Sequence, residues 1–247
     1  MELWGITNSG KVRTHNQDVF QMLSIEDKGV AVLVVCDGMG GANAGDIASD
    51  LAASSFIEHI SEAFEDAEEI GDQEEIAEMM TDAVLAANMT VFNKSLQDKD
   101  LTGMGTTLTA AVSTENGEIV ANIGDSRLYH ITESGITQIT RDHSVVEDMI
   151  ERGEITRNEA RRHKSRNLIT RALGTGMYEE PDIFFLNLEA NEFILLCSDG
   201  LTDVLLDSEI REELMSGTSV EQICEALVDF ALKRGAPDNV TVVILKK

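Results

Sequence analysis

Val30-Ala31-Val32-Leu33-Val34-Val35-Cys36 is a continuous apolar run of strand length, and it stops at Asp37-Gly38. A strand with one wet face alternates apolar and polar residues; an unbroken run predicts a strand covered on both faces. The same punctuation recurs. Phe193-Ile194-Leu195-Leu196-Cys197-Ser198 ends at Asp199-Gly200, and Val120-Ala121-Asn122-Ile123-Gly124 runs into Asp125. Asp238 follows Gly235-Ala236-Pro237 and directly precedes the last apolar segment.

The other segments say what covers such strands. Apolar residues recur at helical spacing from about 44 to 64 (Ile47, Leu51, Ser55, Ile57, Ile60), and again from 73 to 95 (Ile76, Met79, Met80, Val84, Val91). The acidic stretch 65–75 between them reads as a solvated loop with frayed helix ends. Two short strands around Asn8-Ser9-Gly10-Lys11 are expected at the N-terminus. Short β-prone pieces at 106–112, 118–123, 127–131 and 136–139, separated by turn residues, predict an antiparallel meander. Segments 182–188 and 192–197 read as a strand pair, helices follow near 207–215 and 220–233, and 240–245 is a final strand. The stretch 141–176 is polar with short helical pieces. Together these give an α+β fold: a four-layer αββα sandwich of two facing antiparallel sheets flanked by helices, in one domain spanning 1–247.

Composition narrows the function. Nineteen basic against 45 acidic residues leave a net charge of -26. Such a surface repels nucleic-acid backbones and anionic membranes. Most of these carboxylates serve solubility, and position must pick out any that hold cations. Cys36, Cys197 and Cys224 are widely spaced, with no Cys-x-x-Cys pair, so they read as buried reduced thiols of a cytoplasmic protein rather than a zinc site. No signal peptide or membrane-spanning run is seen.

Carboxylates at the ends of apolar strands, beside glycine, suit hard cations that prefer carboxylate, carbonyl and water oxygens. A single Asp-Gly is more often just a turn; four such strand-end positions favour a site. Arg13 lies in Arg13-Thr14-His15-Asn16-Gln17-Asp18, and its planar fork fits phosphate oxygens as well as it fits an ordinary salt bridge. Spacing alone does not choose between these. His15, His59, His130, His143 and His163 form no paired ligand motif and read as structural or surface residues. The run from Arg157 to Arg171 holds five Arg and one Lys, either as local charge balance or as a substrate contact.

Seven segments, in order, carry a resemblance: Gly10-x-x-Arg13-x-x-Asn16-Gln17-Asp18, Cys36-Asp37-Gly38-Met39-Gly40-Gly41, Met104-Gly105-Thr106-Thr107, Ile123-Gly124-Asp125-Ser126-Arg127-Leu128-Tyr129, Arg166 to Gly174, Leu196 to Asp203, and Pro237-Asp238-Asn239-Val240-Thr241. The chain resembles the bacterial branch of the PPM (PP2C-type) serine/threonine protein phosphatases from end to end. That resemblance implies two Mn²⁺ or Mg²⁺ ions between the sheets. Asp37 would bridge them and the Gly38 carbonyl would bind one. Asp199 and Asp238 would bind the other. Asp125, with Asp199, would hold a third, weaker ion, and Asp203 matches a peripheral ligand position. Asp18 would orient a water, with Gln17 and Asn239 supporting the ligands, and Arg13 would hold the substrate phosphate. The stretch 141–176 would be a flap beside the site. Phosphorylated proteins, including a serine/threonine kinase and its substrates, are the implied partners of a monomeric enzyme.

Two positions depart from the pattern: Gln17 stands where Glu is usual, and Met39 where animal relatives carry His, so no general acid is named. The rival readings are a nucleotide-binding protein and a regulatory module that binds without turnover. Gly38-Met39-Gly40-Gly41-Ala42-Asn43 breaks the G-x-G-x-x-G pattern at its last position, which removes the first. The second predicts lost ligands, whereas Asp37, Asp199 and Asp238 are all present. Among enzyme readings, a sigma-factor regulator as the substrate stays open.

Overall fold

The computed structural model describes residues 1–40, 44–217 and 219–247; Gly41, Ala42 and Asn43 of the glycine-rich segment lie outside it. Chain order is β1 (Glu2–Asn8), β2 (Asp18–Ile25), β3 (Val30–Met39), α1 (Ala44–Asp66), α2 (Gln73–Gln97), β4 (Gly105–Thr106), β5 (Leu108–Thr114), β6 (Gly117–Ile123), β7 (Arg127–Ile131) and β8 (Ile136–Gln138). It continues with α3 (Val145–Glu151), α4 (Arg157–Ala160), β9 (Asp182–Leu186), β10 (Phe193–Cys197), α5 (Asp199–Thr202), α6 (Asp207–Ser216), α7 (Val220–Lys233) and β11 (Val240–Lys246).

Two antiparallel sheets face each other. One is five-stranded, ordered β1-β11-β10-β7-β8; the other is six-stranded, ordered β2-β3-β5-β6-β9 with β4 paired to β3. The apolar run in β3 explains the layering. Val30, Val32, Val34 and Cys36 point outward to α1 and α2, while Ala31, Leu33 and Val35 point inward to the second sheet. In β10 the same alternation sends Phe193, Leu195 and Cys197 toward α5–α7, and Ile194 and Leu196 into the space between the sheets. The two-residue period of a strand thus divides each run between an outer and an inner core, and the expected α+β sandwich is what forms.

Several expectations need correction. Segments 182–188 and 192–197 do not pair with each other: β9 lies beside β6 in one sheet, and β10 between β11 and β7 in the other. The meander is likewise broken, because β6 and β7 belong to different sheets and the chain crosses between them at 124–126. The first two strands are also split between the sheets, with 9–17 crossing over. Covered strands look alike in sequence whichever sheet holds them, so periodicity cannot name a neighbour.

Helix α1 buries Ala48, Ala52, Ala53, Phe56, Ile60 and Phe64, while the expected Ile47, Leu51 and Ile57 are only partly buried. Alanines share with Phe56, Ile60 and Phe64 the face that packs against the sheet, and Ile47, Leu51 and Ile57 lie at its flank. The acidic stretch is more ordered than expected: Asp72 accepts from the Glu75 N–H and the Glu75 side chain accepts from the Asp72 N–H, a reciprocal N-terminal cap of α2. All three cysteines are free and buried. Among the described residues, no helix is long and apolar enough to cross a membrane.

Candidate metal centre

Asp18 opens β2, Asp37 lies near the end of β3, Asp125 occupies the crossing from β6 to β7, Asp199 starts α5 directly after β10, and Asp238 precedes β11. All five stand at the same end of the sandwich, contributed by both sheets. Asp18 and Asp37 are partners in register. A cavity of about 240 Å³ is lined by Arg13, Gln17, Asp37, Gly38, Asp125, Asp199, Asp238 and Asn239, together with Met39, Gly40, Thr107, Asn167 and Ile169.

The supports of these side chains are specific. Thr107 Oγ1 accepts from the Asp37 N–H at 2.9 Å and shares a hydrogen bond with Ser126 Oγ at 2.8 Å, linking two acidic positions. Asn239 is a knot. Its side chain accepts from the Gln17 N–H at 2.8 Å and donates to the Ser9 and His15 carbonyls, both at 3.0 Å, while its own N–H donates to Asp238 Oδ1 at 2.9 Å. The 9–17 crossover and Asp238 are thereby fixed together.

Electrostatically the cleft is short of cations. Burial and then the neighbouring carboxylates Asp18, Asp199, Asp125 and Asp238 hold Asp37 well above the usual carboxylate range. Burial, Asp125 and Asp203 do the same to Asp199. Burial, then Asp142, pushes Asp125 up to about 7. Arg13 is the counter-charge: Nη2 donates to Asp238 Oδ2 at 2.7 Å, and that bond chiefly, with the fields of Asp37 and Asp199, raises its pKa further.

Asp18 is the most telling. Its Oδ2 accepts from Ser198 Oγ at 2.6 Å and Thr241 Oγ1 at 2.7 Å, whereas the buried Oδ1 has no partner. Burial raises this carboxyl to about 6. A buried carboxylate oxygen without a donor, among like charges, is costly unless a cation or an ordered water answers it. Among the described residues, no three acidic, imidazole or thiol side chains form a group that could hold an ion by themselves. An all-oxygen cleft that leaves coordination positions to carbonyl and water fits Mg²⁺ or Mn²⁺ better than a closed zinc cage.

Asp203 does not line this cavity. It lines an adjoining one of about 140 Å³ that shares Asp125 and Asp199, and it faces Arg166 at 3.7 Å. Thr107, Asn167 and Ile169, which line the cavity, and Ser198 and Thr241, which hold Asp18, all fall within the seven motif segments, but nothing in the sequence gives any of them a role.

The protein phosphatase 2C family model matches residues 9–240. The chain belongs to the protein phosphatase 2C family. It is therefore a metal-dependent phosphoprotein phosphatase, a phosphoric monoester hydrolase. The serine/threonine phosphatase stp of Listeria innocua is 33% identical over 241 residues, covering 98% of this chain and 94% of the relative. Among solved structures, serine/threonine phosphatase Stp1 from Staphylococcus aureus superposes with a TM-score of 0.91 at 34% identity, covering 100% of this chain and 94% of that one. The catalytic domain of serine/threonine protein phosphatase PstP, in complex with two manganese ions, gives 0.84 at 34% identity, covering 98% and 96%. This phosphatase thus shares its fold and length with bacterial PPM enzymes.

Proposed function

We propose that this phosphatase hydrolyses phosphoserine and phosphothreonine in other proteins at the cleft ringed by Asp37, Asp125, Asp199 and Asp238. The observation that carries the reading is that these acidic groups, far apart in sequence, line one cavity with Arg13 at its rim. Asp37, the Gly38 carbonyl, Asp199 and Asp238 would hold two Mn²⁺ or Mg²⁺ ions, and Asp125 with Asp199 a third, weaker one. Bound there, such ions supply Lewis acidity and bring the pKa of water down toward neutrality.

The chain's own groups do the rest. Arg13 binds Asp238 through a single Nη2 contact, which leaves the remainder of its planar fork for phosphate oxygens and for the charge that develops on them. Asp18 offers Oδ1 as a fixed acceptor that can orient a water and hold its proton. Asn239 keeps the Arg13 loop and Asp238 in one frame, so the phosphate clamp and the ligands stay in register. The described lining residues include no histidine, and Met39 faces the cleft, so water serves to protonate the leaving group. Asn167 and Ile169 carry the 141–176 stretch to the cavity, which supports its reading as a flap on a single 1–247 domain. A serine/threonine kinase is the natural counterpart of a monomeric enzyme of this kind. Three buried free thiols fit a reducing, cytoplasmic setting.

The test is hydrolysis of a phosphothreonine peptide with Mn²⁺, with and without chelator, by the wild type and Asp199→Asn. Chelation should abolish turnover, and Asp199→Asn should lower it at least about 100-fold. Turnover indifferent to chelator would remove the reading.

A further inference from the structure

Asp125 stands on a turn that two stays hold from opposite sides. On one side, Thr107 bonds Ser126, as described above. On the other is His143, which the sequence marked only as a structural or surface residue. It is 2% exposed and packs against Gly124, the residue before Asp125. The Gly124 N–H donates to His143 Nδ1 at 3.0 Å, and the His143 N–H donates back to the Gly124 carbonyl at 2.9 Å. Gly124 has a φ of +104°, and a Cβ placed there would meet the Thr107 side chain at 2.5 Å. The turn has little freedom, and its buried N–H has the imidazole as acceptor.

The acceptor role dictates the tautomer. Nδ1 can receive the Gly124 N–H only as a lone pair, so the neutral ring carries its proton on Nε2. Asp182 Oδ2 lies 3.1 Å from Nε2 and accepts that proton's hydrogen bond. Arg171 Nη1, which carries two hydrogens, also stands 3.0 Å from Nε2 and donates to Asp182 Oδ1 at 2.7 Å; because Nδ1 is already the neutral ring's one acceptor, Nε2 keeps its proton and does not accept from Arg171. Burial chiefly, together with the Arg171 and Arg141 cations, lowers the His143 pKa and favours the neutral ring. Finally, the His143 carbonyl accepts the Thr170 N–H at 2.8 Å, one residue from Ile169 in the cavity wall. A single residue, through its ring and its main chain, therefore joins the Asp125 turn, the start of β9 and the end of the flap stretch.

We propose that His143 is a positioning residue, set in its tautomer by Asp182, that fixes the Gly124 turn so that the Asp125 carboxylate reaches the cleft. The inference rests on the reading of Asp125 as a cation ligand given above. It predicts that His143 acts on the ion held at Asp125 and leaves the ions at Asp37, Asp199 and Asp238 in place.

The test is Mn²⁺ binding by the purified full chain, followed by calorimetry and by the Mn²⁺ electron paramagnetic resonance signal. Asp125→Asn identifies the binding step that depends on that carboxylate. His143→Gln places an amide nitrogen near the Nε2 position and loses the acceptor for Gly124. His143→Asn places an amide oxygen at the Nδ1 position and keeps it. We expect His143→Gln to weaken the Asp125-dependent step about ten-fold, with the tighter steps unchanged, and His143→Asn to stay close to the wild type. A residue that merely fills space gives the opposite order, because Asn is the smaller replacement. Equal effects of the two variants, no effect of Gln, or a loss spread over every step overturns the proposal. If His143→Gln does not fold, Asp182→Asn decides: the same step weakened supports the proposal, and an unchanged isotherm overturns it. A wild-type chain that binds no Mn²⁺ removes the metal-centre reading and this inference with it. A normal wild-type isotherm with an indifferent His143→Gln removes this inference alone.

Discussion

Gly200 follows Asp199 at the start of α5, and a Cβ added there would lie 1.9 Å from the Asn239 carbonyl oxygen. Gly38 is in the same position after Asp37: a Cβ would meet the Gly45 carbonyl oxygen at 2.0 Å. Neither contact can be relieved by turning a flexible side chain, since both partners are main chain. Gly200→Ala should therefore cost about 3 kcal/mol or more in urea unfolding, and should abolish phosphopeptide turnover by displacing the Asn239 knot. Gly135, with nothing within 4 Å of its added Cβ, is the matched control: Gly135→Ala should stay within about 0.5 kcal/mol of the wild type. Asp37, Asp125, Asp199 and Asp238 were legible because each lies at the end of an apolar strand segment. The reason for the glycines was not, since the neighbour that excludes a side chain comes from 39 positions away in the case of Asn239. Asp18 was legible only through the family motif, because nothing local predicts that Ser198 and Thr241 converge on it.

For the helices and strands, what could be read was which faces are covered, and what could not was who covers them. The β3 run predicted two covered faces, and its residues do divide between two cores. The partners of β9 and β10 depend on crossings that leave no periodic trace. Helix α1 shows the same limit, because alanines look weakly apolar in sequence yet Ala48, Ala52 and Ala53 are fully buried in the core. The start of α2 gives a direct check on local structure. Asp72→Ala removes one half of the reciprocal cap and should lower stability by about 1 kcal/mol in thermal or urea melts, with turnover per folded molecule unchanged. An equal loss of turnover would mean that the α1–α2 connection matters to the cleft.

Over the molecule as a whole, a net charge of -26 places a dense acidic cleft inside an already acidic particle. Asp125, Asp37 and Asp199 have folded pKa values raised above the ordinary carboxylate value. A raised carboxylate pKa means that the folded state binds protons the unfolded state has lost, so stability falls as pH rises through the folded value. His143, whose pKa is lowered, acts in the opposite direction only at lower pH. Between about pH 7 and 8, where unfolded histidines are mostly neutral and unfolded thiols mostly protonated, the metal-free protein should melt at a lower temperature at the higher pH. Mn²⁺ should raise the melting temperature more at pH 8 than at pH 7, and Asp125→Asn, which removes the carboxyl pushed up to about 7, should flatten the metal-free slope. A melting temperature that climbs with pH in chelator would contradict the charge balance described here.

The acidic groups come from both sheets: Asp18 and Asp37 from one, Asp199 and Asp238 from the other. Neither half of the sandwich owns a complete set. An ion bound there would act as a rivet through two plates, gripping only once they are seated together. Separating the plates would be the first thing its removal permits, so chelated protein should exchange the Gln17 amide hydrogen, which Asn239 accepts from the side of the other sheet, sooner than amides inside either plate, such as those between β3 and β2.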